Sequence, residues 1–524
     1  MATYAYIDVS QKQEFIYKHN KLRDNLTNSF IIKSVTEKIE GTDLSKIGVS
    51  LSGYLNEKYL AQSEFVYSGG GNSIVCFDTW DQGKSFVQGY STEVLKAYPD
   101  LELYISLVDD TEVGGNGAEQ EKKIRELLYE KTDQLKEKRR SRFRRWTYGV
   151  EKIDETGQAV MSNHKGQNNK LPKQYLQQRF KQRLSDTQIK ITDELQDYKK
   201  GEEGKSYIGI LVIDGNKMGE MARQISTFQQ LDLFSKVVED VYETAMVNAL
   251  KSYEKLLCKD QEEAKLPSFY ITPVLLAGDD LCLITEAEHA IEIAASILEN
   301  IKNVSKQKGQ LTPFLKEVSV DYLTACAGVA IIKYTYPFFE GVKAAENLCY
   351  RAKEMLYKVQ DKDTPLNASF IDWEILQGQV STDKAYEDYV IHRRDQEVFH
   401  IKPLCIDQEQ AVTAAGVYSY KSFINLVQKI RQDKDISNSL LEDLKKNLYS
   451  GWEQYQLFFD MRQGSRKLAE IVGNIFRDNS INCAARVSKE GTVTSYTYIL
   501  NDVLDVLPFI NYQEVQNNVA EAGS

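Results

Sequence analysis

The sequence predicts an α+β protein made of two related units, joined by a helical connector and followed by a helical C-terminal region. Three observations predict it. Short apolar strands and amphipathic helices alternate over residues 3–108, the same order returns over 206–375, and beyond 395 helical spacing dominates.

At 524 residues the chain is too long for one core. Its composition, 42% apolar and 27% charged, is that of a folded protein rather than a disordered one. A net charge of −11 excludes a protein whose whole surface coats nucleic acid, so any such contact is local. The seven cysteines, at 76, 258, 282, 326, 349, 405 and 483, form no CxxC pair and read as reduced thiols. The opening "MATYAYIDVSQKQEF" lacks the basic and long apolar parts of a signal peptide, and no apolar run reaches the length of a membrane span. A cytoplasmic protein without membrane contact is expected.

The first unit, 1–110, opens on the alternating strand "TYAYIDV" (3–9). Phe15, Ile16, Leu22, Leu26, Phe30 and Ile31 follow near helical spacing. "FVYSGGGNSIVCF" (65–77) reads as two strands around glycines, and "LELYISLV" (101–108) as a further strand. Asp8 alone is a poor metal site, so this unit is expected to be structural.

Residues 111–205 change character. "GGNG" (114–117) opens a polar connector that holds the most basic run of the chain, "KEKRRSRFRR" (136–145). Arg139, Arg140, Arg142, Arg144 and Arg145, beside Phe143 and Trp146, would contact RNA or a partner subunit through phosphates and stacking. A solvated connector helix accounts for the same residues equally well.

The second unit, 206–380, begins with the apolar strand "SYIGILVID" (206–214) and a helical region to about residue 256. "SFYITPVLLAGDDLCLIT" (268–285) gives two strands around a tight turn, followed by a helix over 287–306. A strand in "YLTACAGVAII" (322–332), a helix over 338–359 and a closing strand at 367–375 complete it. This order suits a ferredoxin-like sheet with helices on one face. Residues 381–524 read as a small helical bundle with no cluster of obvious chemistry.

The chemistry lies in the second unit. Asp214 ends a strand, so its carboxylate projects at the strand's C-terminal edge, while Asp279 and Asp280 follow Ala277-Gly278 in the next tight turn. Were the strands neighbours, three carboxylates would meet, the oxygen-donor set that Mg²⁺ or Mn²⁺ prefers and that phosphoryl transfer uses in pairs of ions. Asp-Gly after a strand and Gly-Asp-Asp are also ordinary turn chemistry. Adjacent aspartates between apolar strands, however, repel unless a cation lies between them. After Asp214, "GNKMG" enters a helix whose backbone N–H groups would face an anion, which makes Asn216, Lys217, Met218 and Gly219 nucleotide-site candidates. Met218 by itself reads as packing. Lys353 would reach the same phosphates, or is a solvated helix lysine.

"SYIGILVIDGNKMG", "VLLAGDD" and "LTACAGVAIIKYTYPFFEGVKAAENLCYRAKE", in that order, resemble the catalytic Palm domain of the CRISPR type III large subunit. "VSQKQEFIYKHNKLRDNLTNSFIIKSV" (9–35) is similar to the opening helix of that family's non-catalytic first Palm. The resemblance covers about 3–105 and 206–375 and, more loosely, the C-terminus. It implies two ferredoxin-like Palm (polymerase/cyclase) domains and a nucleotidyltransferase joining ATP into cyclic oligoadenylates or related adenylated messengers. The expected setting is an effector complex with crRNA, target RNA and other type III subunits.

The resemblance also implies site roles. Asp214 and Asp279 would hold two Mg²⁺ or Mn²⁺ ions with Asp280 beside them, Ile213 would add a backbone carbonyl, and Ala277, Gly278 and Lys353 would border the nucleotide. The sequence departs from the family pattern at Asn216, in place of an aspartate, and at Ala277, in place of a glycine. No histidine precedes an aspartate, so an HD nuclease is not expected and the chain reads as type III-B-like. The connector holds no cysteine for a zinc ribbon. Two other functions fit these residues: a weak or dead scaffold subunit, and a stand-alone GGDEF-like dinucleotide cyclase.

Overall fold

The computed structural model describes residues 2–39, 48–138, 171–199, 206–257, 268–359, 367–376, 396–413 and 416–510. Its first sheet contains β1 (Thr3–Ser10), β2 (Ser63–Gly69), β3 (Asn72–Phe77) and β4 (Glu102–Asp109), in the antiparallel order β2-β3-β1-β4. The helix Leu22–Thr36 lies between β1 and β2, and the helix Trp80–Ala97 between β3 and β4, a ferredoxin-like arrangement.

The edge strand β5 (Lys190–Ile191) comes from the connector and pairs with β7 (Tyr270–Ala277) of a second, larger sheet. With β6 (Tyr207–Gly215), β8 (Asp280–Glu286) and β9 (Ala325–Lys333), the heart of that sheet runs β9-β6-β8-β7, the same permutation as the first. β10 (Phe370–Leu376) adds alongside β9 in parallel. Two Palm-like units are therefore present, each built by the same strand order.

The second sheet is covered on both faces, where the sequence pattern had suggested helices on one. Gly209 lets the helix Ala287–Gln307 close on β6: a Cβ there would lie 2.1 Å from the Ala290 Cβ. On the opposite face Gly328 admits the helix Phe338–Val359, since a Cβ would meet the Ala345 carbonyl at 2.0 Å. Double coverage explains why β6 and β9 are apolar almost throughout instead of alternating.

The two units pack on each other reciprocally. The helix Leu22–Thr36 of the first lies against β7 of the second, and the helix Phe228–Leu257 of the second lies against β2 of the first. Lys33 reaches Glu239 across this seam at 3.3 Å. The connector contributes the helix Ala118–Lys138, which buries Ile124 and Leu128 against the first unit, and the helix Leu171–Phe180.

The C-terminal region carries the expected helices, Tyr420–Gln432, Asn438–Leu448, Trp452–Met461 and Ser465–Phe476. It also holds a sheet that helical spacing did not announce, formed by β11 (Glu397–Val398), β13 (Ile481–Asn482), β14 (Ala485–Glu490) and β15 (Val493–Tyr498). The short strand β12 (Leu404–Cys405) joins β10. A buried ionic group ties this region to the second sheet: Lys402 Nζ is 3.1 Å from Glu374, and Asp502 accepts from the Ile401 amide at 2.7 Å and contacts His400 at 2.6 Å. Among the described residues no helix is long and apolar enough to cross a membrane.

Candidate active site

β6 and β8 are neighbours, with Ile213 opposite Leu281, so the strand end at Asp214 comes level with Asp280. β7 and β8 close through Gly278 and Asp279, with Ala277 paired to Asp280. Positive φ falls on Gly278, at 64°, and not on Asp279, as a two-residue hairpin with glycine in its first central position requires. The turn thus presents both aspartates beside Asp214. Carboxylate oxygens of Asp214, Asp279 and Asp280 all lie within 4.8 Å of one another.

Such proximity is costly without a cation. Crowding by protein and then the charge of Asp214 raise the Asp279 pKa, and crowding followed by the charges of Asp279 and Asp214 raises that of Asp280. Repulsion is the firmer cause for Asp280, which keeps exposed surface. Lys353, on the helix Phe338–Val359, partly answers this charge: its Nζ lies 2.5 Å from Asp214 and donates to the Gly215 carbonyl at 3.0 Å. One ammonium thus stands against three carboxylates, all of them hard oxygen donors. The donor set fits Mg²⁺ or Mn²⁺.

The other sequence candidates fall into distinct places. Ile213 is fully buried in the ladder between β8 and β9. Asn216 is buried; its amide donates to Thr324 Oγ1 at 3.0 Å and to the Ala368 carbonyl at 3.3 Å, tying the end of β6 to the approaches of β9 and β10. Lys217, at φ 60°, precedes a seven-residue helix, Met218–Gln224. Met218 is 9% exposed and packs toward Gly215 as an apolar side chain, while Gly219 has open space around it. Gly278 faces the first unit directly: a Cβ there would be 3.7 Å from the Gly70 Cα. Arg139, Arg140, Arg142, Arg144 and Arg145 lie outside the described residues.

Two contributors escaped the sequence reading. Tyr242, on the helix Phe228–Leu257, is 2% exposed and stands beside Gly215 and Asp279. Lys12 of the first unit lies near enough for its charge to bear on Asp280. Its sequence signal was the i, i+4 spacing from Asp8, with which it pairs at 3.2 Å.

Residues 207–363 match the family described as "Cas10/Cmr2, second palm domain". The whole chain also shares a fold with Csm1. It superposes on the crystal structure of a Csm1-Csm4 cassette in complex with cA4 with a TM-score of 0.50 and 12% identity, covering 97% of this chain and 69% of that one. A Csm1-Csm4 subcomplex of the type III-A CRISPR-Csm interference complex gives the same TM-score, identity and coverage. At that identity the likeness concerns the fold. No curated protein matches the sequence. The palm domain and the shared two-palm fold together support a type III large subunit.

Proposed function

We infer that this chain is a metal-dependent nucleotidyltransferase that converts ATP to a cyclic oligoadenylate or a related adenylated messenger, as the large subunit of an RNA-guided type III effector. The observation that carries the reading is the convergence of Asp214, Asp279 and Asp280 within 4.8 Å at the open edge of the palm sheet. A palm of the Cas10/Cmr2 family and a fold shared with a Csm1 crystallised with cA4 support the choice of chemistry. The Csm4 beside that Csm1 supports a multisubunit setting, and the crRNA and target RNA of that setting follow from the family resemblance of the sequence.

In the reaction a 3′-hydroxyl attacks the α-phosphorus of an ATP, a new P–O bond forms, and pyrophosphate leaves. Two divalent ions, when bound, would neutralise the triphosphate and favour the ionised hydroxyl. Asp214 and Asp279 would hold them, with Asp280 adjacent and the Ile213 carbonyl as an added oxygen. Lys353, now on Asp214, would turn to the triphosphate once that carboxylate is engaged. Lys217, Met218, Gly219, Ala277 and Gly278 would border the nucleotide.

The test is incubation of the purified chain, alone and assembled with guide and target RNA, with ATP and Mg²⁺ or Mn²⁺, and chromatographic identification of products. An oligoadenylate made by the wild type and lost in Asp279→Ala/Asp280→Ala supports the reading. Absence of any ATP-derived product in every assembly would leave a scaffold subunit.

A further inference from the structure

The helix Phe228–Leu257 sends one polar group to the carboxylate edge. Tyr242 is 2% exposed, and its hydroxyl has no hydrogen-bond partner. Buried hydroxyls are normally satisfied, so an orphan of this kind marks a contact completed in another state. Its direction is fixed by Gly215: a Cβ on that residue would lie 2.7 Å from Tyr242 Oη and 2.8 Å from Asp279 Oδ2. The two oxygens therefore flank the same glycine from the side of the sheet away from Lys353. A phenol is protonated near neutral pH, so the hydroxyl can act as a donor.

We propose that Tyr242 is a positioning residue of this centre, whose hydroxyl donates to the Asp279 carboxylate and fixes its orientation when a divalent ion is bound. The inference rests on the reading of the three aspartates as a metal site. Without a cation, Lys353 holds Asp214 from the opposite face, and Asp279 keeps the like charge of Asp214 beside it. A bound ion would anchor Asp279, whose carboxylate already takes backbone N–H groups of Gly215 and Asp279, and leave an oxygen free to accept from the Tyr242 hydroxyl buried next to it. Hydrogen bonds to the ligating carboxylate are how proteins commonly hold the metal-competent geometry. Gly215 is part of the device, because any side chain there would occupy the space between the two oxygens.

The test compares wild type, Tyr242→Phe, Asp279→Asn and the double variant as full-length chains, with Mn²⁺ as the probe. Mn²⁺ affinity is read by calorimetry and the bound-ion environment by electron paramagnetic resonance. Removing an unpartnered hydroxyl should leave the metal-free Tm of Tyr242→Phe at or above that of wild type. Its Mn²⁺ affinity should fall about tenfold, the Mn²⁺ spectrum should broaden, and the tyrosine effect should vanish in the Asp279→Asn background. Equal Mn²⁺ affinity in wild type and Tyr242→Phe overturns the proposal while the aspartate site stands. A metal-free Tm well below wild type overturns it too, since the hydroxyl would then already have a partner. If wild type binds no Mn²⁺ in a manner sensitive to Asp279, the metal-site reading itself fails.

Discussion

Asp8 and Asp214 hold the same register position in the two sheets. Asp8 lies opposite Asn72, which pairs with Gly69 across the turn at Gly70 and Gly71. Asp214 stands level with Asp280, which pairs with Ala277 across Gly278 and Asp279. Gly71 and Asn72 thus occupy the places that Asp279 and Asp280 fill in the second unit, leaving one carboxylate of three. That survivor is neutralised from within, by Lys12 Nζ at 3.2 Å and Lys136 Nζ at 2.8 Å, and Lys12 also donates to the Gly70 carbonyl at 3.3 Å. The first unit carries fixed ammonium groups where the second gathers carboxylates.

Asp279→Asn/Asp280→Asn should abolish metal-dependent product formation and yet stabilise the metal-free chain. Both carboxyls have raised pKa values, so folding is penalised as they ionise. The penalty is absent below the ordinary carboxylate range, about pH 4, and grows as pH rises toward neutrality. The metal-free Tm of wild type should accordingly decline over that window more steeply than the Tm of the double variant, and saturating Mg²⁺ should flatten the difference. Melting curves across pH with EDTA and with Mg²⁺ check this.

Lys353→Ala separates competition from catalysis. The ammonium occupies Asp214 at 2.5 Å, so its removal should tighten Mn²⁺ binding in the absence of nucleotide. The same variant should raise the KM for ATP roughly tenfold or more, as loss of a charge-assisted contact to phosphate does. Calorimetry and steady-state kinetics read the two effects in opposite directions.

Placing an aspartate at position 216 should harm the protein. In Asn216→Asp the donor to the Ala368 carbonyl at 3.3 Å disappears and a charge enters a position that is 4% exposed. The cost should be about 1–3 kcal/mol, measured by urea unfolding, with no gain in turnover.

Gly328→Ala should act on the site from a distance. Its Cβ would come within 2.0 Å of the Ala345 carbonyl, backbone that cannot turn aside, so the helix carrying Lys353 must shift. A loss of about 1–3 kcal/mol together with reduced activity is expected. Gly209→Ala presses on a different helix, the one carrying Ala290, and should lower the Tm with less effect on KM.

Local pattern exposed the three aspartates because a strand end and a tight turn are properties of a few consecutive residues. That β6 lies between β8 and β9, bringing the strand end to the turn, is a long-range pairing that no window of sequence encodes. Tyr242 was hidden for a similar reason: among the apolar neighbours of a long helix a tyrosine reads as core, and only the sheet beneath gives its hydroxyl a direction. The hairpin β14–β15 was passed over because "ARVSKEGTVTSYTY" is polar and mostly half-buried, a weak alternation between strong helical segments. Asn216 looked like a departure in the chemistry, whereas its neighbours show a tie between chain segments distant in sequence.

The exchange of helices between the two units has a consequence for any attempt to divide the molecule. Each sheet borrows a wall from its neighbour, so cutting the chain at the connector would bare the outer strand of both halves at once. The two units therefore stand or fall together, and a twist imposed on the first is delivered, through Gly70 against Gly278, to the turn that holds Asp279.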